Sequence, residues 1–161
     1  MKKIYLILII VLVLNGCSLN KPYATIENSL RDLSENEFKY INDMNKYTIG
    51  DFKYYELKVE GKKLDDVEVR EITIPEEGLI KHALVEYEPN IWALLKSLSQ
   101  DNKSEDFFVY EYKFLLNMSE ISVDELRDVL DEFEVRIHIK TKDGYEIEEE
   151  CNLGLDLSII E

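Results

Sequence analysis

Cysteine and histidine are the residue types with the widest chemical range, and this chain has two of each. His82 and His138 lie far apart, and no cysteine or histidine pair has the short spacing of zinc ligands. Cys151 has no basic environment that the sequence can locate, so it is predicted to be a small buried residue and not a nucleophile. Cys17 follows an apolar run and needs a separate explanation.

Carboxylates are the other abundant reactive groups, with 34 Asp and Glu residues. They are too numerous to nominate an acid/base pair, because such a pair is defined by distance and shifted pKa. The chain has no Gly-rich phosphate loop or nucleophile elbow, and the run Glu148-Glu149-Glu150 lacks the ligand spacing of a calcium loop. We therefore predict a protein that is not an enzyme and uses no metal or cofactor.

The amino-terminal segment has the order of a secretory signal. Two lysines precede an uncharged apolar run, Ile4 to Leu14, which ends at Asn15-Gly16-Cys17. A helix of this length rises only about 17 Å, which is short of the roughly 30 Å hydrocarbon core of a membrane. The run is therefore predicted to be a cleaved signal and not a permanent span.

Leu14 to Cys17 resembles the lipobox of bacterial lipoproteins, with an aliphatic residue three before the cysteine and a small residue just before it. Asn15 departs from the usual small or aliphatic choice at its position. The resemblance implies cleavage after Gly16, a diacylglycerol thioether on Cys17 and acylation, for example by palmitate, of the new amino terminus. Two or more acyl chains would anchor the protein to the extracytoplasmic face of the cell membrane.

The chain is predicted to comprise a signal peptide (1–16), a lipidated cysteine with a short tether (17–22) and one globular domain (23–161). The formal net charge is −15, and residues 1–16 contain two lysines and no acids, so the chain from Cys17 onwards carries about −17. This charge argues against nucleic acid and against lying flat on an anionic membrane. A protein or peptide partner with a basic surface is the natural complement.

Apolar spacing predicts how the elements alternate. Residues 23–33 have helical spacing, and Ser34 with Glu37 forms a capping box that opens a second helix ending near Lys46. Strands are predicted from 52 to 59 and from 67 to 74, the latter with a bulge around Arg70 and Glu71. A further strand is predicted over 79–87, a helix over 91–98 with Asn90 as its N-cap, and a helix after a second capping box, Ser122 with Glu125.

A row of aromatic residues lies on one face of a further strand, which is predicted between the helix over 91–98 and the second capping box. It could be the core of a central strand or a platform that stacks sugar rings or grips a peptide. Tyr110 and Tyr112 are the candidate binding residues of the second interpretation. The row comprises Phe108, Tyr110, Tyr112 and Phe114.

The hairpin around Lys142-Asp143-Gly144 has two candidate loop lengths with opposite consequences. A two-residue loop places Ile139 opposite the charged Glu148, whereas a three-residue loop with Gly144 in a left-handed conformation places Ile139 opposite Ile147. The three-residue loop is predicted, and it sets His138 beside Glu148 on the solvated face. It also places Glu149 on the apolar face, where it must lie at a rim, pair with a cation or mark a bulge, so Glu149 is a candidate binding residue.

The predicted fold is α+β, with an antiparallel sheet of about six strands and with amino-terminal and connecting helices packed on it. The alternative is an immunoglobulin-like β-sandwich with helical connections. The predicted function is a lipid-anchored, non-enzymatic interaction module for a protein or peptide. The alternative is a solute- or carbohydrate-binding module that uses the aromatic strand.

Overall fold

The computed structural model describes residues 21–39, 41, 47–87 and 93–160. The signal peptide, Cys17, the cap residue Asn90 and the predicted helix end near Lys46 lie outside the described residues. Within the described residues there are eight strands, three α-helices and a short 3-10 helix (Ile49–Asp51), so the fold is α+β as predicted. None of these helices has the length and apolarity needed to cross a membrane.

The strands form two sheets, with the orders β4-β5-β2-β1-β8 and β3-β6-β7. All neighbours are antiparallel except β1 and β8. The strands are β1 (Tyr23–Asp32), β2 (Phe52–Lys62), β3 (Val67–Thr73), β4 (Ala93–Gln100), β5 (Phe107–Asn117), β6 (Glu134–Thr141), β7 (Glu146–Asn152) and β8 (Ser158–Ile160). The helices are α1 (Glu35–Phe38), α2 (Glu77–Tyr87) and α3 (Val123–Leu130).

The helix predicted over residues 23–33 was wrong, because this segment is strand β1. It pairs with β2 along its whole length, from Tyr23 opposite Lys62 to Asp32 opposite Lys53. Leu30 is fully buried, and the polar Asn28 occupies the preceding inward position. Because Asn28 interrupts the apolar alternation of the strand, the remaining apolar residues gave the spacing of a helix.

The two elements on either side of residues 88–92 were predicted as a strand followed by a helix, but they are a helix followed by a strand. The segment predicted as a strand over 79–87 is helix α2, in which Ile80 and Leu84 are buried one turn apart. The helix predicted over 91–98 is instead strand β4, which pairs with β5 at the edge of the larger sheet. Pairing with a long central strand outweighs a weak helical preference of this kind.

Both capping boxes were confirmed. The Ser34 and Ser122 hydroxyls accept from the backbone N–H groups of Glu37 and Glu125, and each glutamate accepts from the N–H of its serine. The register shift in β3 lies between Val67 and Val69, so the bulge predicted around Arg70 and Glu71 was wrongly placed.

One hydrophobic core is lined by both sheets and by α2 and α3. Two sheets that share a core are also a feature of the β-sandwich alternative. Gly61 of β2 faces the ring of Phe108 in β5, and a Cβ atom at Gly61 would lie 2.2 Å from Phe108 Cε1. The Phe108 ring therefore fills the space that a side chain at position 61 would occupy, and a larger residue there would have to displace the ring. The largest fully buried side chains include Tyr55, Phe52, Phe108, Phe114 and Leu30.

Candidate functional site

The β6–β7 hairpin has the predicted three-residue loop. Ile139 lies opposite Ile147 and His138 opposite Glu148. Gly144 has a φ of 86° and donates a hydrogen bond to the Thr141 carbonyl, which is the geometry of the predicted loop. The register of β7, and therefore the direction of each of its side chains and backbone groups, follows from this turn.

Strand β7 has an open edge, because β6 is its sole strand neighbour among the described residues. The Thr141 N–H donates to the Tyr145 carbonyl, so these two residues form a hydrogen-bonded pair. Such pairs alternate with non-bonded pairs along an antiparallel ladder. The residues at 146, 148 and 150 of β7 therefore turn their backbone N–H and C=O groups away from β6. Asn152 follows the same phase, since its N–H donates to the Asp156 carboxylate at 2.8 Å.

A cleft of about 530 Å³ lies between the open side of β7 and strands β1 and β8. Four acidic residues line it, and its lining contains no lysine or arginine among the described residues. Glu149 is exposed at this cleft, and within the described part of the chain it has no ion-pair partner. Of the three settings predicted for Glu149, this placement matches the rim. The four acidic residues are Glu27, Glu149, Glu150 and Asp156, and the Glu150 carboxylate lies 3.7 Å from Arg136 Nε.

One lining residue of the cleft has a buried polar atom with unused hydrogen-bonding capacity. Asn28 is 5% exposed, and its Nδ2 donates to the Leu153 carbonyl at 2.9 Å, whereas its Oδ1 has no partner among the described residues. The Tyr55 hydroxyl, which belongs to the core and not to the cleft lining, is also buried without a partner in the described part of the chain. Burial, with a smaller effect of the nearby Cys151, raises the pKa of Tyr55 above its usual range. Both atoms, Asn28 Oδ1 and the Tyr55 hydroxyl oxygen, are inaccessible to solvent, so each is a local cost to stability and not a contact point for a ligand in the cleft.

Cys151 lies at the same base and is 7% exposed, as predicted for a small buried residue. Burial raises the pKa of its thiol, and the nearby Asp156 carboxylate adds to the effect. Both influences keep the sulfur protonated, which is the opposite of what an activated cysteine nucleophile requires.

The outer face of the β6–β7 hairpin carries a separate cluster around His138. Its Nε2 lies 2.8 Å from Glu146 Oε1, and its Nδ1 lies 3.6 Å from Glu71 Oε2. The hydrogen bond to Glu146 raises the pKa of the imidazole, and Glu71 adds to the effect. Ligand atoms of His138, Glu146 and Glu148 all lie within 4.8 Å of one another, so these residues could hold a cation. The hydrogen bond to Glu146 accounts for the same geometry without an ion.

The aromatic row of β5 packs into the core. Phe108, Tyr112 and Phe114 are buried, and Tyr110 is half-buried. The Tyr110 hydroxyl donates to Asp101 Oδ2 at 2.9 Å, and burial together with this hydrogen bond raises the pKa of Tyr110 to about 12. The placement of these rings favours the core interpretation over a sugar platform.

Sequence reasoning singled out Glu149 but missed the rest of the cleft. Glu27, Asn28 and Asp156 come from β1 and from the turn after β7, which only the tertiary structure brings together. The feature of the sequence that pointed to this region was Glu149, an acidic residue on an otherwise apolar strand face. Comparisons with protein families, with curated proteins and with solved structures find no match to this chain.

Proposed function

We propose that this chain is a lipid-anchored, extracytoplasmic bacterial binding module, without enzymatic activity, that holds a basic peptide or protein partner in the acidic cleft between β7 and β1. The cleft is the observation that carries the proposal. It combines four acidic residues with a lining that, within the described part of the chain, contains no lysine or arginine. A lysine- or arginine-rich segment supplies the positive charge that such a site attracts.

The charge of the whole chain supports the same partner. About −17 formal charges from Cys17 onwards create a negative field around the domain, which attracts cationic surfaces from a distance and repels acidic ones. Mobile ions screen this field beyond about 10 Å at 0.1 M salt. Association with a basic partner should therefore be fast at low salt and fall steeply as salt is added.

The proposed lipid anchor on Cys17 would keep the partner near a membrane. Lys21, the first described residue, is four residues beyond Cys17, which is at most about 14 Å of extended chain. A domain anchored through Cys17 would therefore stay close to the bilayer. The proposed partner is accordingly a protein or peptide of the cell envelope with an exposed basic segment.

The test uses the purified lipoprotein in detergent micelles and a fluorescent octapeptide of alternating lysine and valine. Neither Glu27 nor Glu149 forms an ion pair or a side-chain hydrogen bond within the described part of the chain. Replacing both, through Glu27→Gln and Glu149→Gln, therefore removes two cleft charges with little effect on the fold. The matched control removes two exposed acids outside the cleft, through Glu35→Gln and Asp65→Asn.

The cleft pair should weaken binding at least tenfold at low salt, and the control pair should leave it nearly unchanged. Equal weakening by both pairs would show that the peptide responds to overall charge and not to this cleft. Affinity that stayed flat between low and high salt would also contradict the proposal.

A further inference from the structure

Resting on the proposed function, we infer that the basic partner binds as an added antiparallel β-strand along the open edge of β7. The backbone groups at 146, 148 and 150 point away from β6, and no other strand pairs with β7 among the described residues. Exposed groups of this kind are the template for strand addition, in which main-chain hydrogen bonds give affinity and alternate side chains give specificity.

The charge of this edge identifies the occupant. Glu146, Glu148, Glu149 and Glu150 are all exposed. If β7 paired with the β7 strand of a second copy, glutamates would face glutamates, and like charges directly opposite each other are destabilising. The same residues attract lysine and arginine. The edge is therefore protected from self-association while it remains open to a cationic strand from another protein.

The two faces of β7 predict an alternating sequence in that strand. Glu146, Glu148 and Glu150 lie on the outer face with His138, whereas Ile147 and Cys151 point to the core side. In an added strand, every second residue meets the outer acids and should be basic. The residues between them point towards the core side and should be apolar, with Glu149 at the rim.

The direction of the backbone N–H of residue 148 allows strand addition to be tested with protein variants. Glu148→Pro removes an N–H that points away from β6, so it abolishes a hydrogen bond to an added strand and leaves the β6–β7 ladder intact. Glu148→Ala is the matched control, because it loses the same charge and keeps the N–H. With the alternating octapeptide, the alanine variant should bind a few-fold more weakly than wild type, and the proline variant at least tenfold more weakly than the alanine variant. The thermal midpoint of each variant checks that it is folded at the assay temperature.

A second test needs no protein variant. In antiparallel addition, the peptide residues opposite 146, 148 and 150 direct both their side chains to the outer face and their N–H groups to β7. These are the lysines. Methylation of the lysine backbone nitrogens should therefore reduce affinity at least tenfold, whereas methylation of the valine backbone nitrogens should be tolerated.

Equal losses for the two methylated peptides, or a loss confined to the valine-methylated one, would overturn antiparallel strand addition. So would equal binding by folded Glu148→Pro and Glu148→Ala variants. In either case the proposed function would stand if the Glu27 and Glu149 pair still weakened binding. A wild-type protein that did not bind the peptide at all would overturn both proposals.

Discussion

Arg70 of β3 should be one of the largest single contributors to stability, because its side chain joins the two sheets. It is 7% exposed and forms an ion pair with Asp101. Its Nη1 donates to the Glu105 carbonyl at 3.1 Å and its Nη2 to the Phe107 carbonyl at 2.8 Å. The guanidinium also lies 5.2 Å from the centre of the Phe108 ring. These contacts tie the three-stranded sheet to the loop between β4 and β5.

Replacing Arg70 with methionine keeps the apolar stem and removes all of these polar contacts. A hydrogen bond to a charged group contributes about 1.5 to 3 kcal/mol, and breaking a buried ion pair costs about 3 to 5 kcal/mol. The Asp101 side chain is 23% exposed, so water can partly rehydrate its carboxylate and the loss should fall below the upper end of that range. We expect Arg70→Met to lower the free energy of unfolding by about 2 to 4 kcal/mol.

Urea unfolding followed by circular dichroism measures this difference. The control is Arg136→Met, which makes the same replacement on β6, where the Arg136 side chain is 60% exposed beside Glu134 and Glu150. The control should unfold near the wild-type midpoint, because exposed ion pairs contribute little. If the two variants were equally stable, or if Arg70→Met lost less than about 1 kcal/mol, this account of the sheet connection would be refuted.

Three further predictions concern single groups. Cys151 should react slowly with iodoacetamide in the folded protein and rapidly in urea, and rapid labelling of the folded protein would contradict its burial. Glu146→Gln should lower the pKa of His138, as measured by NMR titration. Because the folded pKa of His138 is raised, this contact should stabilise the fold below about pH 6.5 and lose its effect as pH rises through the folded pKa; an unchanged pKa in the variant would contradict the assigned hydrogen bond. Cys17→Ser should release the protein from the membrane fraction, and a variant that stayed bound would exclude lipidation of Cys17 as the sole anchor.

Local patterns predicted local structure well. The hairpin register followed from one glycine and from the pairing of apolar side chains across the turn, both of which the sequence contains. The capping boxes at Ser34 and Ser122 were predicted for the same reason, since each requires only four consecutive residues. Structure of this kind depends on neighbours in sequence and needs no knowledge of the rest of the fold.

Long-range pairing decided the elements that were predicted wrongly. Strand β1 has a polar residue, Asn28, at an inward position, and only its pairing with β2 makes that segment extended. Strand β4 likewise owes its conformation to β5. The cleft could not be predicted for the same reason, because Glu27 and Asp156 approach Glu149 only after β1 and β7 have joined different sheets.

The central claim is that the acidic cleft beside β7 holds a basic partner, and an NMR titration tests it most directly. The alternating lysine–valine peptide would be added to the isotope-labelled protein in micelles while the backbone amide signals are followed. We predict the largest shifts at Asn28, Glu148 and Glu150, with little change at Glu35 or Tyr110. Shifts spread evenly over the acidic surface, or centred on Tyr110, would contradict the claim.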